Sequence, residues 1–193
     1  MEELSLHILD LVQNSLRAAA TKVEIFIKED LTRDCFLLEV RDNGRGMPED
    51  FVKEALSPFT TTRTTRRVGL GLSLLDMVAR RCGGGVEIDT KLGKGTRVRA
   101  VFQHSHWDRA PLGDIKATLV AIIAANPKLS LIYKHRLGGR DFILDTEEIK
   151  GILGRDIPLN NMAVLGWLEE YIAQGLAHLY GGEEKDGNPK ESG

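Results

Sequence analysis

The 193-residue sequence has little that would tie it to an oxidising compartment or a membrane. Cysteine occurs twice, as Cys35 and Cys82, too few for a disulfide framework or a four-ligand zinc site. A reducing, cytoplasmic compartment fits that scarcity. The longest apolar run, Leu119 to Ala125, falls far short of the ~20 residues a membrane span needs. The amino terminus, Met1-Glu2-Glu3, is acidic where a secretory signal is basic. No charge of one sign dominates: 26 Lys+Arg stand against 28 Asp+Glu, which argues against a nucleic-acid coat or a polybasic membrane anchor. Two nucleotide fingerprints are missing as well. There is no G-x-x-x-x-G-K-[ST], and Gly69-x-Gly71 meets Leu74 where a dinucleotide site has its third glycine.

What is present is an ordinary globular chain, 42% hydrophobic and 28% charged. Helical spacing of Leu4, Ile8, Leu11, Val12, Ser15 and Ala19 predicts an amphipathic helix from about Leu4 to Ala20. Lys22 to Lys28 alternates and Cys35 to Val40 is more apolar, so both read as strands. A Gly-rich turn follows at Arg41 to Pro48, then a short helix over Pro48 to Leu56. Ser57 to Val68 has no period. Gly69 to Cys82 reads as a helix ended by Gly83-Gly84-Gly85, and Val86–Ile88 with Thr96–Phe102 as paired strands. Beyond a linker at His104 to Leu112 come a helix (Asp114 to Ala125) and a hairpin about Gly138-Gly139. A helix capped by Asp145 or Thr146 and a last helix over Leu159 to Tyr180 complete the chain. The expected organisation is a domain over 1–104, a small α+β unit over 105–180 and a disordered tail over 181–193.

Four elements in the first 104 residues carry chemistry. Asp10, Asn14 and Arg17 stand at i, i+4 and i+7, on one helix face. A carboxylate, a neutral oxygen and a cation in a row suit a magnesium–phosphate site, though a solvated helix face gives the same pattern. Asp42-Asn43-Gly44-Arg45-Gly46-Met47 follows a strand. Its Asp can accept from an exocyclic amine such as that of adenine, and the segment also reads as a plain turn. Ser57 to Arg67 packs five Thr and three Arg ahead of Gly69-Leu70-Gly71-Leu72 at a helix start. This is a cationic loop poised for polyphosphate or a basic surface loop. Gly93-Lys94-Gly95-Thr96 precedes the last strand and needs nothing beyond a hairpin turn to explain it.

Taken in order, these elements resemble the ATP-binding domain of the GHKL superfamily, shared by gyrase B subunits, the ninety-kilodalton heat-shock chaperones, histidine kinases and MutL-type ATPases. The histidine-kinase and anti-sigma-factor serine kinase branches match best, over about residues 4–103. The resemblance implies a two-layer α+β sandwich, the Bergerat-type ATP-binding fold, with ATP and Mg2+ as cofactors. Asn14 matches the magnesium-coordinating asparagine and Arg17 a phosphate-contacting residue. Asp42 matches the aspartate that binds the adenine amine, and Gly44 and Gly46 shape the adenine pocket. Phe59, Thr60, Thr61 and Arg63 match the segment leading into a lid over the nucleotide. Gly69, Gly71 and Leu72 match the lid's closing end, and Thr96 a late threonine near adenine. Two positions depart from the pattern: Asp10 stands where the family usually has a catalytic Glu, and Val68 replaces the first glycine of the closing loop.

The sequence begins almost at the first helix of such a domain, ahead of which a histidine kinase carries its phosphoacceptor hairpin. The surroundings of His7 do not match a phosphoacceptor box, so His7 reads as structural. The expectation is a stand-alone protein kinase that passes the ATP γ-phosphate to a partner protein, with Asp10 as base. The alternative is a nucleotide-gated binding module or slow ATPase that switches a partner surface. Residues 105–180 are expected to bind a partner or a second copy; nucleic acid and membrane are not expected partners. His104, His106 and His135 read as surface or linker residues, and Trp167, Tyr171 and Leu176 as core.

Overall fold

The computed structural model describes residues 3–48, 52, 71–154 and 156–181. The short helix after Pro48, the Ser57–Val68 loop and the tail from residue 182 lie outside the described residues. Helix α1 runs Leu4–Arg17, strands β1 and β2 Lys22–Asp30 and Cys35–Asp42, helix α2 Gly71–Arg81, and strands β3 and β4 Gly85–Lys91 and Gly95–Gln103. Helix α3 follows over Ile115–Ala125, strands β5 and β6 over Ser130–Leu137 and Arg140–Asp145, and helices α4 and α5 over Thr146–Leu153 and Met162–Leu179.

The six strands form one sheet in the order β3-β4-β2-β1-β5-β6, antiparallel throughout except where β5 lies parallel to β1. Strict alternation in β1 sends Val23, Ile25 and Ile27 to one face, and β2 adds Phe36, Leu38 and Val40 to it. Helices α2, α1 and α5 pack on the strands of this sheet, α2 against α1, and α3 lies between α1 and α5. The expected two-layer α+β sandwich is what the chain forms. Helix α3 is buried over most of its surface because it lies between α1 and α5, which explains the apolar run from Leu119. Ala19, expected on the buried face of α1, lies past the helix end in a left-handed conformation and is exposed.

Residues 105–180, expected as a separate unit, add their hairpin to the same sheet. Chain segments β4, α3 and β5 make a parallel crossover that seats β5 beside β1, with Ile25 opposite Tyr133. The β5–β6 turn is Gly138-Gly139, both with positive φ, as a two-residue turn of the strand-compatible hand requires.

That pairing corrects the surface reading of His135. Alternation along β5 continues past Tyr133, so His135 points inward and is fully buried rather than at the surface. Its Nε2 lies 3.0 Å from Glu29 Oε1 and its Nδ1 2.9 Å from the Tyr133 hydroxyl. The tautomer with hydrogen on Nε2 satisfies both contacts. His104 Nε2 meets Glu29 Oε2 at 2.7 Å, and the Tyr180 hydroxyl, at the end of α5, donates to Glu29 Oε1 at 2.5 Å. Burial opposes the charge of Glu29, but the bonds from His135, Tyr180 and His104 prevail and hold its carboxyl at about 2. Burial and the bond to Glu29 push the Tyr180 phenol up. His7 is buried, in keeping with its structural reading. Along α5 the inward residues are Val164, Leu168, Ile172 and Leu179, which leaves Trp167 and Tyr171 half-exposed and stacked at 5.2 Å rather than in the core.

Candidate functional site

A cavity of about 340 Å³ opens between α1 and the β2–β4 end of the sheet. Leu11, Ala18, Val40, Leu72 and Val98 give it apolar walls, and Asn14, Ser15, Arg17, Asp42, Arg45 and Thr96 give it polar ones. Such an apolar cleft with few converging polar groups is the usual form of a small-molecule site.

Asp42 ends β2 at one extremity. Its Oδ1 accepts from the backbone N–H groups of Gly44 (2.8 Å) and Thr96 (3.3 Å), and its Oδ2 from the Ser15 hydroxyl (2.7 Å). Four lone-pair directions less three bonds leave one, on Oδ2. The carboxylate is thus fixed by two strands and a helix and retains a single acceptor position for a ligand.

The glycines around it are needed for closeness. Gly46 has φ +69, and a Cβ there would collide with the Lys91 carbonyl oxygen. Gly95 has φ +88, and a Cβ there would collide with the Asp42 carbonyl oxygen. Side chains at either position would push the β3–β4 turn off the β2 end. At Gly44 a Cβ would stand 2.8 Å from Ala18 O, which keeps the turn tight against the end of α1.

Helix α1 also presents Asn14 and Arg17 to the lining, one turn apart, with Arg17 Nη1 donating to Asn14 Oδ1 at 3.1 Å. Asn14 is half-buried and Arg17 exposed. The amide oxygen keeps a second lone pair for a cation. Asp10 is exposed and lies outside the cavity lining; its Oδ2 stands 3.0 Å from where a Cβ on Gly71 would sit, against the first residue of α2.

The structure therefore brings Asn14, Arg17, Asp42, Gly46, Leu72 and Thr96 to one cavity, with Gly44 just behind it and Asp10 and Gly71 touching beside it. Phe59, Thr60, Thr61, Arg63 and Gly69 lie outside the described residues. Sequence reasoning missed the Ser15–Asp42 bond, Arg45 in the lining, and Thr90, whose hydroxyl accepts from Met47 N–H at 2.9 Å and donates to Gly95 O at 3.0 Å. A hydroxyl facing a strand-end Asp from an apolar helix stripe was the one signal available for Ser15.

Residues 2–106 match the family described as histidine kinase-, DNA gyrase B-, and HSP90-like ATPase. Among curated proteins the chain is similar to the C4-dicarboxylate transport sensor protein DctB of Pseudomonas aeruginosa, 36% identical over 47% of this chain and 15% of that protein. It is also similar to the sensor kinase CckA of Brucella abortus, 33% identical over 49% of this chain and 10% of that protein. The chain thus spans a small part of the length of these relatives. Among solved structures, the Aquifex aeolicus MutL ATPase domain complexed with ADP shares the fold, with a TM-score of 0.50 and 19% identity over 79% of this chain and 69% of that one. On the match over more than half its length, this chain belongs to the histidine kinase-, DNA gyrase B- and HSP90-like ATPase family.

Proposed function

We propose that this chain binds magnesium-ATP in the cavity beneath α1 and passes the γ-phosphoryl group to a partner protein. The observation that carries the reading is Asp42: held by three hydrogen bonds, it keeps one acceptor position in an apolar-walled cavity whose volume of about 340 Å³ has room for a purine. The adenine amine supplies the hydrogen that position needs. Arg17, in the same lining, meets the phosphates.

The site fits magnesium through the free lone pair of Asn14 Oδ1. Among the described residues no group of three or more His, Cys, Asp or Glu could hold a metal alone, so the remaining ligands there would come from phosphate and water. Bound magnesium supplies charge neutralisation on the phosphates. Asp10 takes the proton of the accepting hydroxyl as the bond to phosphorus forms and ADP leaves. Residues 105–180 supply the partner-binding or dimerisation face, a reading supported by the half-exposed Trp167–Tyr171 stack on α5. Among the described residues no helix is long and apolar enough to cross a membrane.

A second reading, a nucleotide-gated module or slow ATPase, is favoured by one observation: the Asp10 side chain is a methylene shorter than Glu and stands outside the cavity lining. The deciding experiment is calorimetric titration with ATP, followed by transfer of labelled γ-phosphate to captured proteins. Asp42→Asn and Asn14→Ala are expected to lose most ATP affinity; parent-like binding by both defeats the site. Labelled partner protein favours the kinase, and labelled inorganic phosphate alone favours the slow ATPase.

A further inference from the structure

We infer that Thr90, which stands behind the cavity wall, determines which purine edge the cavity accepts by fixing the hydroxyl hydrogen of Thr96. The inference rests on the ATP reading of the cavity and extends it to base selection.

Thr90 lies on β3 opposite Thr96 on β4, half-buried, and its Oγ1 has three polar neighbours. Met47 N–H, at 2.9 Å, can only donate to it. The Gly95 carbonyl oxygen, at 3.0 Å, can only accept from it. A hydroxyl has one hydrogen and two lone pairs. With the hydrogen committed to Gly95 and one lone pair to Met47, the 3.1 Å contact with Thr96 Oγ1 is a bond only when Thr96 donates. The hydrogen of Thr96 is then turned away from the cavity, and its backbone N–H is spent on Asp42 Oδ1.

Thr96 consequently offers the cavity lone pairs alone, and the neighbouring Asp42 offers one more. A ligand edge at this end must bring hydrogens, directly or through a water. Adenine does so with its amine. A 6-oxopurine brings only its N1–H to this end, and its carbonyl oxygen takes the place of the amine against lone pairs, with no donor to satisfy it. Removing the Thr90 hydroxyl frees the Thr96 hydrogen to turn inward, where it can meet a carbonyl oxygen.

The test is calorimetric titration of the full chain with ATP and with inosine triphosphate, in magnesium buffer, for the parent, Thr90→Val and Thr90→Ser. Thr90→Val is expected to narrow the preference for ATP over inosine triphosphate by about threefold to tenfold, the range of one hydrogen bond. Thr90→Ser is expected to keep the parent ratio. A merely structural role would weaken both nucleotides alike; an unchanged ratio in a Thr90→Val protein that still binds ATP overturns the inference and leaves the ATP reading standing. If thermal melting shows Thr90→Val unfolded, Thr90→Ala removes the same hydroxyl and is read by the same ratio. A folded parent that binds neither nucleotide overturns the ATP reading and this inference with it.

Discussion

The Ser15 hydroxyl donates to Asp42 Oδ2 at 2.7 Å, joining the last turn of α1 to the end of β2 across 27 residues of sequence. Ser15 also reaches the Leu11 carbonyl oxygen at 3.1 Å, but its single hydrogen serves the shorter, charge-assisted bond. Without that bond the carboxylate keeps only its two Oδ1 contacts and can swing about them. Ser15→Ala is therefore expected to weaken ATP binding about tenfold, the lower end for one hydrogen bond to a charged group, while the fold survives. Calorimetry beside a thermal melt separates the two effects.

Gly46 makes a harsher test of the same corner. Its left-handed φ of +69 is strained for any L side chain, and the Lys91 carbonyl oxygen occupies the space a Cβ needs. Gly46→Ala is expected to cost about 1–3 kcal/mol of stability and to spread the β3–β4 turn away from Asp42. Denaturant titration reads the first effect and ATP affinity the second; a variant with parent stability and parent affinity would contradict the geometry.

Glu29 gives the fold a dependence on acid. Its carboxyl is depressed from 4.5 to about 2, so the contribution it makes is complete above pH 4.5 and is lost as pH falls towards 2. The bonds at stake reach His104 after β4, His135 on β5 and Tyr180 at the end of α5. Glu29→Gln, which keeps the shape and removes the charge, is expected to lower stability at pH 7 by about 1–3 kcal/mol. Its melting temperature should fall less than the parent's between pH 4.5 and 2. Parallel curves for the two proteins would remove Glu29 from the account.

The same cluster shows where the sequence was readable and where it was not. Val23, Ile25 and Ile27 announce β1 by alternation alone, and Asp114, Asp145 and Asn161 each cap a helix with a side-chain bond close to where the pattern placed its start. The parallel pairing of β1 with β5 has no local signature, because its partners are more than a hundred residues apart and register is fixed by the assembled core. The inward place of His135 is written in the alternation Leu131, Tyr133, His135, Leu137, although histidine by itself is not a core residue type. Asp42, Asn14 and Thr96 were legible through their motifs. Ser15 and Thr90 were not, since each acts through a contact made by folding, one across the helix–sheet layer and one across a hairpin.

Asp10 separates binding from chemistry. It lies beside Asn14 one turn back along α1, outside the cavity lining, with its carboxylate against Gly71 at the start of α2. From that place it makes no contact that would hold the base or the slot's apolar walls. A base acting on a hydroxyl or a water works within ~2.6–3.2 Å or through one water, and its loss costs about 10²–10⁴ in rate. Asp10→Asn keeps the size and removes the basicity. It is expected to leave ATP affinity within about twofold while turnover of labelled γ-phosphate falls at least about a hundredfold. A variant that turns over ATP at the parent rate would strip Asp10 of the base role. Loss of binding together with turnover would make it part of the nucleotide's cradle instead.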